Sequence, residues 1–240
     1  MITWNGITSD SLDIIVEECP NYVKPERKYE AFPVPGRNGD LIVAQKAWGN
    51  VEQPYTIVAG DGTLHSVPGA FSDVASWLYA PDGYCRLSDG FDATHYREAC
   101  FVGPFDIENM LTRTGRAEII FNCKPQRFLL TGEVPVTYSL TGQTITNPTA
   151  FHARPLIRVH GGGLAGTVTV NGTVFTISDT SSDILIDCET MNCTDTNGAN
   201  KNSIVSSSTS EFATLKPGDN SIGFTGGVIN VEITPRWWEL

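Results

Sequence analysis

At 240 residues, with 40% hydrophobic and 10% aromatic side chains, the chain can build one large core or two smaller ones, which excludes a disordered polymer. A formal net charge of -11, from 16 basic and 27 acidic residues, with no Lys/Arg cluster, excludes tight nucleic-acid binding through phosphate neutralisation. Charged residues are only 18% of the chain while Gly, Ser, Thr and Asn abound, a balance that suits short strands joined by tight turns.

The amino terminus, Met1-Ile-Thr-Trp-Asn-Gly, lacks the basic region and apolar stretch of a signal peptide. No apolar run approaches the ~20 residues that a membrane span needs. The expectation is synthesis and folding in the cytoplasm, where Cys19, Cys85, Cys100, Cys123, Cys188 and Cys193 are buried thiols and not disulfides. Cys188 and Cys193 lack the histidine neighbours that a metal site would require.

Short bursts of apolar and polar alternation, punctuated by Asn-Gly and Asp-Gly pairs at Asn38, Asp61, Asp82, Asp89, Asn171 and Asn197, predict a mainly β chain with hairpins. After an amino-terminal strand region comes the turn-rich Pro35-Gly-Arg-Asn-Gly-Asp-Leu41. Phe71, Val74, Ala75 and Leu78 fall at i, i+3, i+4 and i+7 and predict one short helix, ended by Pro81-Asp-Gly83. Trp77 lies off that stripe, so it is expected to meet a neighbouring element or subunit.

Strands are predicted around 84–88, 95–102 and 116–123. The breaker-rich Thr131-Gly-Glu-Val-Pro135 suggests two domains, 1–132 and 133–240. In the second, strands are predicted near 137–140, 156–160, 167–170, 174–177, 184–188, 221–224 and 228–234, enough for a sandwich or jelly roll. The run Thr167-Val-Thr-Val-Asn-Gly-Thr-Val-Phe-Thr-Ile177 is the clearest hairpin, with positive φ expected at both turn residues. Residues 192–210, polar and Ser-rich, read as a mobile surface loop.

His160-Gly-Gly-Gly-Leu-Ala-Gly166 contains GxGxxG and HGGG. A dinucleotide fingerprint must open a helix, however, and Thr167 to Val170 alternates as a strand. The esterase motif needs a GxSxG nucleophile, which the chain lacks. Asp187 and Glu189, two apart on a strand, could be a glycosidase pair, but that spacing arises easily by chance. His65, His95, His152 and His160 show no metal-ligand spacing. No catalytic group, cofactor or metal site emerges. Trp237 and Trp238 could stack on a sugar, although a terminal aromatic pair more often locks the last strand onto the core. Because consecutive strand residues face opposite sides, only one of the two can be core.

Several segments, in order, resemble the distal tail proteins of long-tailed, siphovirus-type phages and prophages of Gram-positive bacteria. They are Pro35–Leu41, Trp77-Leu78, Arg86-Leu-Ser-Asp to Tyr96, Phe121-Asn-Cys-Lys-Pro-Gln-Arg-Phe128 and Ile145-Thr-Asn-Pro148. Next come Arg154-Pro-Leu-Ile157, Ile184-Leu-Ile-Asp-Cys-Glu189, Leu215-Lys-Pro-Gly-Asp-Asn220 and Ile233-Thr-Pro-Arg-Trp237.

The resemblance implies an amino-terminal β-sandwich-like domain with one short α-helix that forms a hexameric ring, and a carboxy-terminal galectin-like β-sandwich. It implies a non-enzymatic hub at the virion tail tip, partnered by the tail tube protein, the tail-associated protein and receptor-binding proteins. DNA would pass through the ring without specific binding, and nothing would insert in a membrane. A separate expectation is that acidic residues line the lumen so that passing DNA does not adhere. No long insertion interrupts the second half.

A hairpin tipped by Asn38-Gly39 is marginal alone and would gain by packing on a neighbour. Pro35, Gly36, Arg37, Asn38, Gly39, Asp40 and Leu41, with Trp77, are therefore expected at the subunit interface. The alternative is a carbohydrate-binding module for bacterial cell-wall glycans, with Trp237 and Trp238 as its contacts. A cell-wall hydrolase subunit is a weaker third reading.

Overall fold

The computed structural model describes residues 1–59, 67–105, 107–111 and 114–240, with backbone alone at 67, 68, 70, 71, 107–111 and 114. The chain is mainly β, with one α-helix among the described residues. It divides into two compact units, Met1–Arg127 with Leu240, and Phe128–Glu239.

In the first unit, strands run in the order Ile7–Thr8, Ile2–Trp4, Cys85–Asp89, His95–Cys100, Thr114–Leu129, Val51–Ala59, Ile14–Val16. Alternation places every second residue on the core face: Val51, Gln53, Tyr55, Ile57 and Ala59 are buried in turn along one strand. Pro54 sits in this strand opposite Ile120, and it is tolerated because Ile14–Val16 pairs only with 57–59 on the other side.

Trp4 packs on Phe121 with ring centroids 4.9 Å apart, and Phe101 meets Phe121 edge-on at 5.7 Å. Such contacts stabilise beyond simple area burial.

The helix spans Val67–Tyr79 and buries Val74, Leu78 and Trp77. The stripe is thus centred on Val74 and turned towards Trp77, because the indole carries the largest apolar surface on the helix. The side chain of Phe71 and the pair Asp61-Gly62 lie outside the described residues.

The second unit is a sandwich made by bending two long strands, Leu156–Val170 and Gly218–Thr234. Their outer ends pair with each other and with Val136–Tyr138, Ile184–Asp187 and, beyond it, Asn192–Asp195. Their other ends pair together and with Gln143–Asn147, Thr173–Ile177 and, beyond it, Val205–Ser207. Both layers feed one core that includes Ile157, Val159, Val168, Phe175, Val231 and Ile233.

The hairpin at 167–177 forms with Val170 opposite Thr173, and φ is +50° at Asn171 and +86° at Gly172. A matching two-residue turn at Asn5-Gly6 (φ +48° and +80°) joins Ile2–Trp4 to Ile7–Thr8. That hairpin falls outside the pairs singled out in the sequence.

The expected loop at 192–210 is corrected, since it contains the strands Asn192–Asp195 and Val205–Ser207. Its polarity serves internal bonding: Asp195 Oδ1 accepts the amides of Asn197 and Ala199 at 2.9 and 3.0 Å. Asn202 Oδ1 accepts the amide of the buried Cys193 at 2.7 Å.

Candidate functional site

One element has no core of its own. Among the described residues, Arg27–Phe32 and Leu41–Trp48 pair only with each other, as a two-stranded ribbon. Its register shifts after Lys28 to leave Gln45 and Lys46 as a bulge, with Lys46 at φ +53°. The tip is not a two-residue Asn-Gly turn. Phe32 pairs with Leu41 across residues 33–40, the Arg37 amide donates to the Val34 carbonyl at 3.2 Å, and Gly36 and Gly39 hold φ +77° and +81°. Pro35 sets the first φ of this turn and Gly36 supplies the second, a type II arrangement.

Opposed residues share a face. Tyr29 and Ala44 lie with Ala31 and Ile42 on one face, and Phe32, Leu41 and Val43 lie on the other. Ile42 is 64% exposed, Tyr29 59% and Leu41 51%. A two-stranded ribbon with apolar residues on both faces and two open edges is marginal in water and invites a partner. Hiding one such side chain contributes about 1.5–3 kcal/mol. Of the residues expected at an interface, Pro35–Leu41 are exposed, whereas Trp77 is buried in the first core.

The first unit also carries a polar cluster at one end of its core. Asp89 Oδ1 accepts from the Tyr22 hydroxyl at 2.9 Å and from the amides of Phe91 and Asp92 at 2.9 and 2.8 Å. Its Oδ2 accepts from the Tyr55 hydroxyl at 2.9 Å. Burial, then the Asp89 carboxylate, pushes both phenols well above the ordinary tyrosine range. Asp92 pairs with Arg127 and, at 2.9 Å, with His95 Nδ1. Burial alone would raise its pKa, but the bonds from Arg127, His95 and Thr94 outweigh that and hold it at about 2.

In the second unit the glycine motif is neither a nucleotide loop nor an oxyanion hole. It is the bulge at which Leu156–Val170 bends, with register shifts at His160/Gly161 and Gly161/Gly166. Thr180, 1% exposed, donates its hydroxyl to the Leu164 and Gly227 carbonyls at 2.6 and 3.2 Å.

Asp187 is not poised as a general acid. It accepts two bonds from Arg236, at 2.7 and 3.3 Å. Burial would raise it, but Arg236 and the Glu189 and Thr190 amides hold it below the usual carboxylate range. Glu189 is exposed, with Arg154 at 3.9 Å.

His160 sits between Asp183 at 3.0 Å and Glu232 at 3.5 Å, and His65 lies outside the described residues. Among the described residues no group of three or more His, Cys, Asp or Glu is placed to hold a metal. No described helix is long and apolar enough to cross a membrane. All six cysteines are free thiols. The expectation that all are buried is corrected: Cys19 is exposed, and Cys85 and Cys100 are half-buried.

Trp237 is 5% exposed and belongs to the second core. Trp238 stacks on Phe151 with centroids 4.5 Å apart and donates Nε1–H to the His152 carbonyl at 2.9 Å. A shallow cleft of about 340 Å³ lies elsewhere on this unit, lined by Asn171, Thr173, Glu211, Phe212 and Lys216 among others.

Residues 141–237 match the family model described as the C-terminal domain of the siphovirus-type tail component. Among solved structures, the Dit protein of phage SPP1 is described as a paradigm of the hub adsorption apparatus in phages infecting Gram-positive bacteria. It aligns over 100% of this chain and 98% of its own, with a TM-score of 0.77 and 14% identity. At that identity the likeness is one of fold. Two structures of the phage P2 baseplate in its activated conformation, with calcium and with strontium, each align over 92% of this chain and 90% of theirs at 10% identity. Their TM-scores are 0.47 and 0.46. No curated protein matches the sequence. The domain match and the full-length fold together bear out the resemblance to distal tail proteins.

Proposed function

We propose that this chain is a distal tail hub subunit whose copies close into a ring, six-fold by the family resemblance, at the tip of a phage tail. The observation that carries the reading is the ribbon 27–48, whose exposed apolar residues no described residue of the chain covers. A neighbouring copy that receives the ribbon buries those residues and pairs an open strand edge, and a closed ring repeats the contact until no edge is left.

Met1–Arg127 then forms the ring, and the sandwich beyond it, galectin-like by resemblance, holds other tail-tip parts. The ring joins the tail tube protein to the tail-associated and receptor-binding proteins, and DNA passes through it. A net charge of -11 discourages DNA from adhering on the way. The role is one of geometry and needs no catalytic group.

The test combines light scattering with negative-stain imaging of purified protein, alone and with the tail tube protein. Six-fold rings are expected. Folded monomers that stay monomeric beside the tube protein would overturn the proposal.

A second reading, binding of bacterial cell-wall glycans by the sandwich, is favoured by the polar cleft that Asn171, Thr173, Glu211 and Phe212 line. The buried Trp237 takes no part in it. Calorimetry with cell-wall saccharides tests this reading, and heat that survives Phe212→Ala would place any binding elsewhere.

A further inference from the structure

A buried charge without a hydrogen-bond partner at its terminal nitrogens lies inside the first unit. Arg97 is on the strand His95–Cys100, opposite Leu87, and alternation turns it to the core face with Ala99. It is 5% exposed, and neither Nη1 nor Nη2 has a hydrogen-bond partner. Buried charges are ordinarily paired, because an isolated guanidinium away from water is costly. Desolvation accordingly pulls its pKa below the usual arginine range.

Two carboxylates line the same pocket, and both are committed elsewhere. Asp89 takes its four donors from Tyr22, Tyr55 and the amides of Phe91 and Asp92. Asp92 takes Arg127, His95 and Thr94. Between these side chains and Arg97 is a void of about 10 Å³, the size of one small guest. Arg127 borders it as well, and the space is too small for a carboxylate side chain or a phosphate.

We infer that this void is a binding site for a single small monoatomic anion, chloride in size and charge, held by the Arg97 guanidinium. The anion supplies the acceptor that Nη1 and Nη2 lack. Its affinity is limited by Asp89 and Asp92, whose charges are blunted by their own donors without being removed. Such a site would couple the packing of Tyr22, Tyr55 and Arg127 around the core end to halide concentration.

Two measurements on the full chain decide it. Crystals of the wild-type protein grown in bromide should show an anomalous peak within about 3.5 Å of the Arg97 Nη atoms, a normal contact for a halide slightly larger than water oxygen. The unfolding midpoint should rise by about 2–4 °C as chloride replaces methanesulfonate at constant ionic strength, and Arg97→Met should abolish that dependence. A water without anomalous signal at the site overturns the inference. So does a chloride dependence that persists unchanged in Arg97→Met, and if that variant fails to fold, the bromide peak alone decides.

Discussion

Thr180 occupies the space that a side chain at Gly161 would need: a Cβ on Gly161 would fall 2.1 Å from the Thr180 Cβ and 2.4 Å from its hydroxyl oxygen. The same hydroxyl ties the Leu164 and Gly227 carbonyls together. The glycine run is therefore the hinge at which one strand passes from one layer of the sandwich to the other.

Gly161→Ala should destabilise the sandwich by about 1–3 kcal/mol or more, because the clash is with a fixed branched side chain and with backbone. Gly103→Ala is the control: a Cβ there meets nothing within 4 Å, and the change should stay within about 0.5 kcal/mol. Urea unfolding of both variants, with a similar effect at the two sites, would count against the hinge.

The ribbon predicts a separation of stability from assembly. Tyr29→Lys with Ile42→Asp alters two residues exposed on one face, so the unfolding midpoint should hardly move, within about 0.5 kcal/mol per substitution. Ring formation should be lost, as read by light scattering. Rings that form as readily as in the wild type would remove the ribbon from the interface.

Much of the second unit was legible because the segments that carry the resemblance are its joints. The Asn147 side chain from Ile145-Thr-Asn-Pro148 donates to the Leu215 carbonyl at 3.0 Å. Asn220, at the end of the Leu215–Asn220 segment, donates back to the Ile145 carbonyl at 3.2 Å. Asp187 and Arg236, from two further segments, form the twin bond at 2.7 and 3.3 Å. Each of these residues must be of one type at one place, and that is what leaves a mark in sequence.

The ribbon was only half visible. Its turn residues stood out, but the apolar residues 41–43 look the same in a strand that packs on its own core as in one that awaits a neighbour. Trp77 misled for a related reason. A four-residue stripe fixes the helix face only to within about one position, roughly 100° of rotation, and the largest side chain then decides which way the face turns. Arg97 gave no signal at all, since its burial depends on which strand lies beside it.

Asn220 offers a sharper test of the joints. It is fully buried, accepts from the Lys216 amide at 2.7 Å and from Asn171 Nδ2 at 2.6 Å, and donates to the Ile145, Lys216 and Gly218 carbonyls. Asn220→Leu keeps the volume and strands these groups, so it should cost about 2–4 kcal/mol in chemical denaturation. Thr146→Val loses one exposed bond to Asp219, at 2.7 Å, and should cost less than about 1 kcal/mol.

The thiols divide by burial. Cys19 is exposed and should react with a disulfide reagent within the mixing time. Cys123 and Cys188 are pushed up to about 12 and Cys193 to about 11, in each case chiefly by burial. They should react only as fast as the fold opens. A titration in native buffer that labels these three as quickly as Cys19 would contradict the packing of both cores.

Acid should undo the first unit through Asp92. Its folded pKa of about 2 lies below the ordinary aspartate value of 3.8, so the unfolded chain binds its proton first as pH falls. The contribution is complete above about pH 4 and disappears as pH drops through 2. A shift of that size corresponds to about 2 kcal/mol, with the side chain only 17% exposed and therefore little screened. Asp92→Asn keeps the shape and removes the charge that Arg127 faces. It should lower stability by about 2 kcal/mol at neutral pH and flatten the stability profile between pH 4 and pH 2. A variant whose profile keeps the wild-type slope over that interval would mean that other carboxylates, Asp187 with Arg236 or Asp183 with Arg158, govern acid unfolding instead.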